Sequence, residues 1–433
     1  MKKSPVPITL LRGAAASVLA LSVGSALPAL ADLPPKPEVL RIFLDTERER
    51  LARPALDAFE AEHGITVEAN TVPYDRVFDQ MSSMIAGGQQ LDVVFMSNSW
   101  HAELGSVGLL LDPTEYLDQD YLANYVPTGL EMMASGGVQW GLPAQPAILY
   151  FYYNAEMLSE LGYDAPPSTW HELAEISQAA VEAGLADHGM FVGMAPLEGL
   201  MVYYDSFLKQ FGGSWMNEDQ TEWTFNSEEG VQAAQFMRDM IESGVFAEAG
   251  LETPDRNSMS SFTAGRAPFH WNWSFAWREM TDPDRSSVAD VATPTMVPVI
   301  PEGSGESYTV MGGGGFAIAS STQNPEWSVE LLKTVTGPVA AEFLIDQFGS
   351  EGAWAPLFDD ETLLEENPLL ALYQEQVQFG GFRPSDFLTW YSEFRDNMFL
   401  PRFHEALSGN RDIQEALDAA AAEANSALNN RGL

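Results

Sequence analysis

Between residues 39 and 96 the chain alternates two hydrophobic periods, and this alternation narrows the fold more than any other stretch. Val39-Leu40-Arg41-Ile42-Phe43-Leu44 reads as a buried strand. The segment after it puts Leu51, Ala55, Leu56 and Phe59 on one helical face and stops at Gly64. Ile65 to Thr71 alternates like a second strand, and Val77, Met81, Met84 and Ile85 mark a second helix closed by Gly87-Gly88. Leu91 to Met96 is a third, continuously apolar strand. Strand, helix, strand, helix, strand is the pattern of a parallel sheet covered on both faces. Ligands of such sheets sit beyond the carboxyl ends of the strands. Here those ends are Asp45-Thr46-Glu47 and Ser97-Asn98-Ser99-Trp100.

The α/β grammar continues. Strands are expected at Leu149–Tyr153, Met296–Ile300 and Phe316–Ala319. Helices are expected at Trp170–Ala183, Gly199–Phe211, Val231–Ile241, Trp327–Thr334, Val339–Phe348 and Asp412–Leu428. A chain of 433 residues exceeds one ordinary core, so two domains are expected. No low-complexity linker separates them, which suggests lobes joined by several passes of the chain.

The N-terminus has the layout of a secretory signal. Lys2, Lys3 and Arg12 precede an apolar run from Ala14 to Leu30, and Ala29-Leu30-Ala31 suits cleavage before Asp32. A retained anchor is the alternative, but Gly24 and Pro28 interrupt a run already short for a spanning helix. Removing the three basic residues of this leader from the formal charge of −41 leaves −44. Such a charge repels nucleic acid and anionic lipid, and otherwise describes a solvated acidic surface. The chain has no cysteine, which excludes disulfides, thiolate metal sites, a cysteine nucleophile and a lipidated cysteine. An exported chain without that anchor fits the periplasm.

Several motifs, in order, resemble family 1 extracellular solute-binding proteins, the group of maltose- and trehalose-binding proteins. Gly141-Leu142-Pro143 with Tyr150-Phe151-Tyr152-Tyr153-Asn154 resembles the family's "GxP…lyYN" crossing strand. Asp92 to Met96 leads into a loop with Trp100, and Leu109-Leu110-Leu111-Asp112-Pro113 is similar to its "G-x-L-x-P-L" turn. Trp170-His171-Glu172-Leu173, Phe211-Gly212-Gly213, Phe262 to Ala267, Gly312 to Ile318 and Phe382-Arg383-Pro384 continue the set. The resemblance implies a periplasmic-binding-protein-like α/β fold, two lobes joined by a multi-strand hinge around a ligand cleft. It implies crossings near Ala144–Tyr150, near Val310–Gly313 and around Gly352. The N-terminal lobe would comprise 32–146 and 312–352, and the C-terminal lobe 147–311 and 353–433.

Capture of a sugar needs flat apolar faces for C–H surfaces and planar polar groups for hydroxyls. His270-Trp271-Asn272-Trp273-Ser274-Phe275-Ala276-Trp277 supplies alternating aromatics that face one way if extended and spread if helical. The family's "NW" resembles Asn272-Trp273, so Trp273 and then Trp271 are candidate platforms, with a core cluster as the alternative. By resemblance Glu47 binds hydroxyls, although it also suits a helix start capped by Asp45 or Thr46. Ser97 stands where relatives often carry an acid; Ser97, Asn98 and Trp100 are cleft candidates. Glu198 opens a helix and either binds ligand or meets the helix dipole. Gly313 and Gly314 allow close backbone approach. Arg383 either donates to hydroxyls or closes an interlobe salt bridge, and Tyr150 lies on a face shared with Tyr152.

Catalytic patterns are poor. HExxH and Gly-x-Ser-x-Gly are absent, and the six histidines are scattered. Ser206-Phe207-Leu208-Lys209 matches Ser-x-x-Lys without companion motifs, and Asp282-Pro283-Asp284 lacks the rest of a calcium loop. The expectation is a monomeric carrier without cofactor or metal, closing on a sugar and delivering it to the permease of an ABC transporter. A binder of a polyol or oligopeptide is the nearer rival, and a secreted carbohydrate-active enzyme the more distant one.

Overall fold

The computed structural model describes residues 33–381 and 383–431, so the leader and Phe382 lie outside the described residues. The first five elements are β1 (Val39–Asp45), α1 (Thr46–His63), β2 (Thr66–Val72), α2 (Val77–Ala86) and β3 (Val93–Ser97). Local chemistry sets their ends. The Asp45 carboxylate accepts the Glu47 and Arg48 amides at 3.1 Å, a cap of about 1 kcal/mol. Gly64 ends α1 at φ +61°, a conformation that glycine alone adopts without strain. β1 pairs in parallel with both β2 and β3.

Two long strands extend this sheet. Thr309–Ala319 runs antiparallel to β3, with Gly314 opposite Ser97, and antiparallel to Leu142–Asn154 on its other side. Leu142–Asn154 then pairs with Phe269–Trp273 and Ala292–Thr295. Each long strand serves two cores. Leu142 and Phe316 pack with Ile42, Val94 and Leu331 in one; Leu149, Phe151 and Val310 pack with Trp170, Phe207 and Met237 in another. A third cluster, with Ile148, Tyr150, Met311 and Leu369, fills the space beside the crossing. The two halves are therefore separately cored bodies that share strands, and the Ala353 amide adds a further tie to the Ala144 carbonyl at 3.1 Å.

Two expectations about local structure fail. Met296–Ile300 is not a strand: Pro298 interrupts it, the Val297 amide donates to the Gln376 side chain, and Val299 forms only a bridge with Thr169. The strand falls upstream, at Ala292–Thr295. The aromatic run at 270–277 is neither extended nor helical throughout, because it turns at Ser274 from strand into the helix Phe275–Thr281.

Candidate functional site

The carboxyl ends of β1, β2 and β3 form one wall facing the second body. Glu47 stands exposed on the first turn of α1. Arg48 is tied back to Asp45 at 2.8 Å and lies 4.0 Å over the Phe95 ring. Trp100 is 8 % exposed and packs against Tyr74, Phe78 and Phe95, with ring centroids 5.6–5.8 Å away. Ser97 Oγ lies 3.1 Å from Ser99 Oγ, and the Asn98 amide donates to the Gly313 carbonyl at 3.2 Å. Ser97 is thus bonded to its own loop.

The opposite wall is built around Glu198, the first residue of the helix Glu198–Gln210. Its carboxylate accepts from Arg383 at 2.5 Å, from Arg395 at 3.0 Å and from the Tyr391 hydroxyl at 3.0 Å. Burial alone raises this carboxyl, but the Arg383 and Arg395 charges outweigh it and hold it below the usual carboxylate range. Arg383 thus closes a salt bridge with Glu198 inside this wall, not between the lobes as expected. Glu198 keeps 32 % side-chain exposure against 3 % for Arg383, so the carboxylate is the member that faces solvent. Beside them Trp273 is half-buried and its indole donates to Asp255. Burial pushes the Asp255 carboxyl up, against the Arg256 charge and amide.

Two candidates sit elsewhere. Trp271 is fully buried beneath the helix Glu198–Gln210, with Trp170 and Tyr203 centroids 5.1 Å away, so it is core and not a platform. Tyr150 is buried at the crossing, where its hydroxyl donates to Glu351 at 3.2 Å. That carboxyl also accepts from Ser274 and Ser350 at 3.3 Å, while Gln145 donates to Ser350 at 2.5 Å. Gly313 and Gly314 are explained by strand packing: a Cβ at 313 (φ +101°) would overlap the Gln145 carbonyl, and one at 314 would meet Phe95 and the Met96 carbonyl. Gly312 carries Trp273, whose Cη2 would stand 2.5 Å from a Cβ there. A cavity of about 40 Å³ is lined by Arg48, Leu51, Phe95, Gln145, Gly314 and Leu344.

Sequence reasoning missed Tyr74, Asp255, Arg256, Asp386 and Tyr391. Tyr74 was within reach, because it follows the carboxyl end of β2 and the strand-end rule applies there as at β1 and β3. Among the described residues no group of three or more acids or histidines could hold a metal, and no helix is long and apolar enough to cross a membrane.

Two separately cored α/β bodies on shared strands, with polar and aromatic walls facing each other, define a periplasmic-binding-protein-like fold. Residues 45–342 match the family of bacterial extracellular solute-binding proteins, and the chain belongs to it. It is similar to a probable ABC transporter-binding protein of Deinococcus radiodurans, 24 % identical over 338 residues covering 76 % of this chain and 79 % of that one. The arabinooligosaccharide-binding protein of Halalkalibacterium halodurans is 21 % identical over 342 residues, 73 % of this chain and 69 % of that one. The structure of maltose-bound T. maritima MalE3 superposes with a TM-score of 0.80 at 24 % identity, over 89 % of this chain and 98 % of that one. The protein is a solute-binding protein.

Proposed function

We propose that this chain is the periplasmic component of an ABC importer, that it captures a carbohydrate by closure of its two lobes, and that it leaves the solute unchanged. The observation that carries the reading is the pairing of walls: Tyr74 and Trp100 on one lobe oppose Trp273, Asp255 and Glu198 on the other. Aromatic faces with a few oriented carboxylates suit the C–H surfaces and hydroxyls of a sugar. The saccharides named for the arabinooligosaccharide- and maltose-binding relatives support the same class. Glu47, Ser97, Asn98, Trp100, Glu198, Trp273 and Arg383 are the proposed lining, with the Gly313–Gly314 backbone at the floor. The lobes divide at the crossings near 146, 312 and 352. A ligand touching both walls has higher affinity for the closed form, and that difference drives closure. The leader ending at Ala31 directs export, and the mature chain works as a monomer.

The test is a thermal-shift screen of the mature protein over sugars, polyols, amino acids and peptides, followed by chromatography after long incubation. Stabilisation by a sugar that is recovered intact is expected. A product that scales with protein concentration overturns the carrier reading, and stabilisation by polyols or peptides alone overturns the carbohydrate assignment. Intact mass beginning at Asp32 in the periplasmic fraction is expected; a retained leader in the membrane fraction refutes the export reading.

A further inference from the structure

The two walls are bridged directly, at two places close together. On one side the Asn98 side-chain amide donates to Asp386 Oδ1 at 2.9 Å, with both groups buried. His101 Nε2 stands 3.1 Å from the Asp386 carbonyl oxygen, and Ser392 Oγ donates to Glu103 at 2.8 Å. These contacts run from the loop after β3 and the start of the helix His101–Ser106 to residues 386–392 of the other lobe. On the other side the Arg256 guanidinium lies 4.3 Å over the Tyr74 ring. Tyr74 itself touches Trp100, centroid to centroid 5.6 Å, and Trp100 is two residues from Asn98 and one from His101. Between the two bridges this wall presents Trp100, which is only 8 % exposed.

We infer that the cleft accepts a short saccharide of one or two rings and excludes longer chains. The inference rests on the carbohydrate reading above and adds to it the size of the ligand. A longer chain that runs along this wall past Trp100 meets one of the two bridges. Passing the Asn98 edge separates Asn98 from Asp386 and strands buried polar groups without partners, which a chain's hydroxyls would have to replace with matching geometry. Passing the Tyr74 edge removes the Arg256–ring contact and exposes a charge stacked on an aromatic face. A short ligand leaves both bridges intact and keeps their contacts between the walls.

The experiment is isothermal titration of the mature protein with the maltose and arabinan series from one to five rings, together with a panel of monosaccharides. Binding confined to one- and two-ring members is expected, with three rings weaker by about tenfold or more, the loss set by a broken buried pair. Equal or tighter binding of three to five rings overturns the size limit while leaving the carbohydrate reading in place. Absence of binding by every saccharide overturns the carbohydrate reading and the inference with it. Glu103→Ala removes the outermost rung without touching Trp100 or Asn98, and discrimination against the three-ring sugar is expected to fall by about threefold or more. Unchanged discrimination in that variant overturns the assignment of the limit to this edge.

Discussion

Glu351 offers the sharpest test of how the crossing is held. It is fully buried, and its carboxyl is bonded to Tyr150, Ser274 and Ser350. Tyr152 and Tyr373 are the other titratable groups that sense its charge. Burial raises the group from its ordinary 4.5 to about 7, against those hydrogen bonds. The sign follows from linkage. The unfolded chain ionises near 4.5 and the folded one near 7, so the stability supplied by the neutral carboxyl is complete below 4.5, falls between the two values, and is gone above about 7. At roughly 1.4 kcal/mol per pH unit of separation, the loss is about 3 kcal/mol. Glu351→Gln keeps the shape and neutrality of the protonated acid and removes the titration; the hydroxyls that its amide nitrogen cannot accept add an offset that does not change with pH. Urea unfolding of both proteins from pH 4.5 to 8 isolates the effect, since the other groups titrate alike in each and cancel in the difference. Glutamine should gain about 3 kcal/mol on the wild type across that range. A difference that stays constant within about 1 kcal/mol would falsify the assignment of a neutral Glu351 to the crossing.

The remaining predictions separate site from core. Trp273→Ala should weaken sugar binding by about 2 kcal/mol, roughly thirtyfold, and an unchanged affinity with a sharp drop in melting temperature would make it a core residue. Trp271→Ala should cost about 3–5 kcal/mol of stability while the folded fraction binds as before, so a selective loss of affinity would return it to the cleft. Arg383→Met should destabilise by roughly 2 kcal/mol, less than a fully buried pair, because Glu198 keeps Arg395 and is partly solvated. A stability equal to wild type would remove that pair from the wall's framework.

How much the sequence could specify depended on how local the determining interactions were. Asp45 caps α1 through amides two and three residues on, Gly64 stops it by its own backbone, and the apolar periods of the first five elements reflect neighbours along the chain. These features, and the order of motifs that resembles the solute-binding family, were legible without coordinates. The strand at 296–300 misled because apolar content is read equally well from a segment in which Pro298 has no ladder amide and the Val297 amide goes to the Gln376 side chain. Trp271 and Trp273 lie on one face of one strand, and no periodicity separates them. The helix Glu198–Gln210 covers the first and leaves the second over Gly312 at the strand's end. Arg383 meets Glu198 across 185 residues, Tyr150 meets Glu351 across 201, and Asn98 meets Asp386 across 288. Pairings over such separations leave no local signature, since each partner alone is compatible with solvent, ligand or salt bridge. Only the folding of both lobes onto shared strands decided which of those each group received.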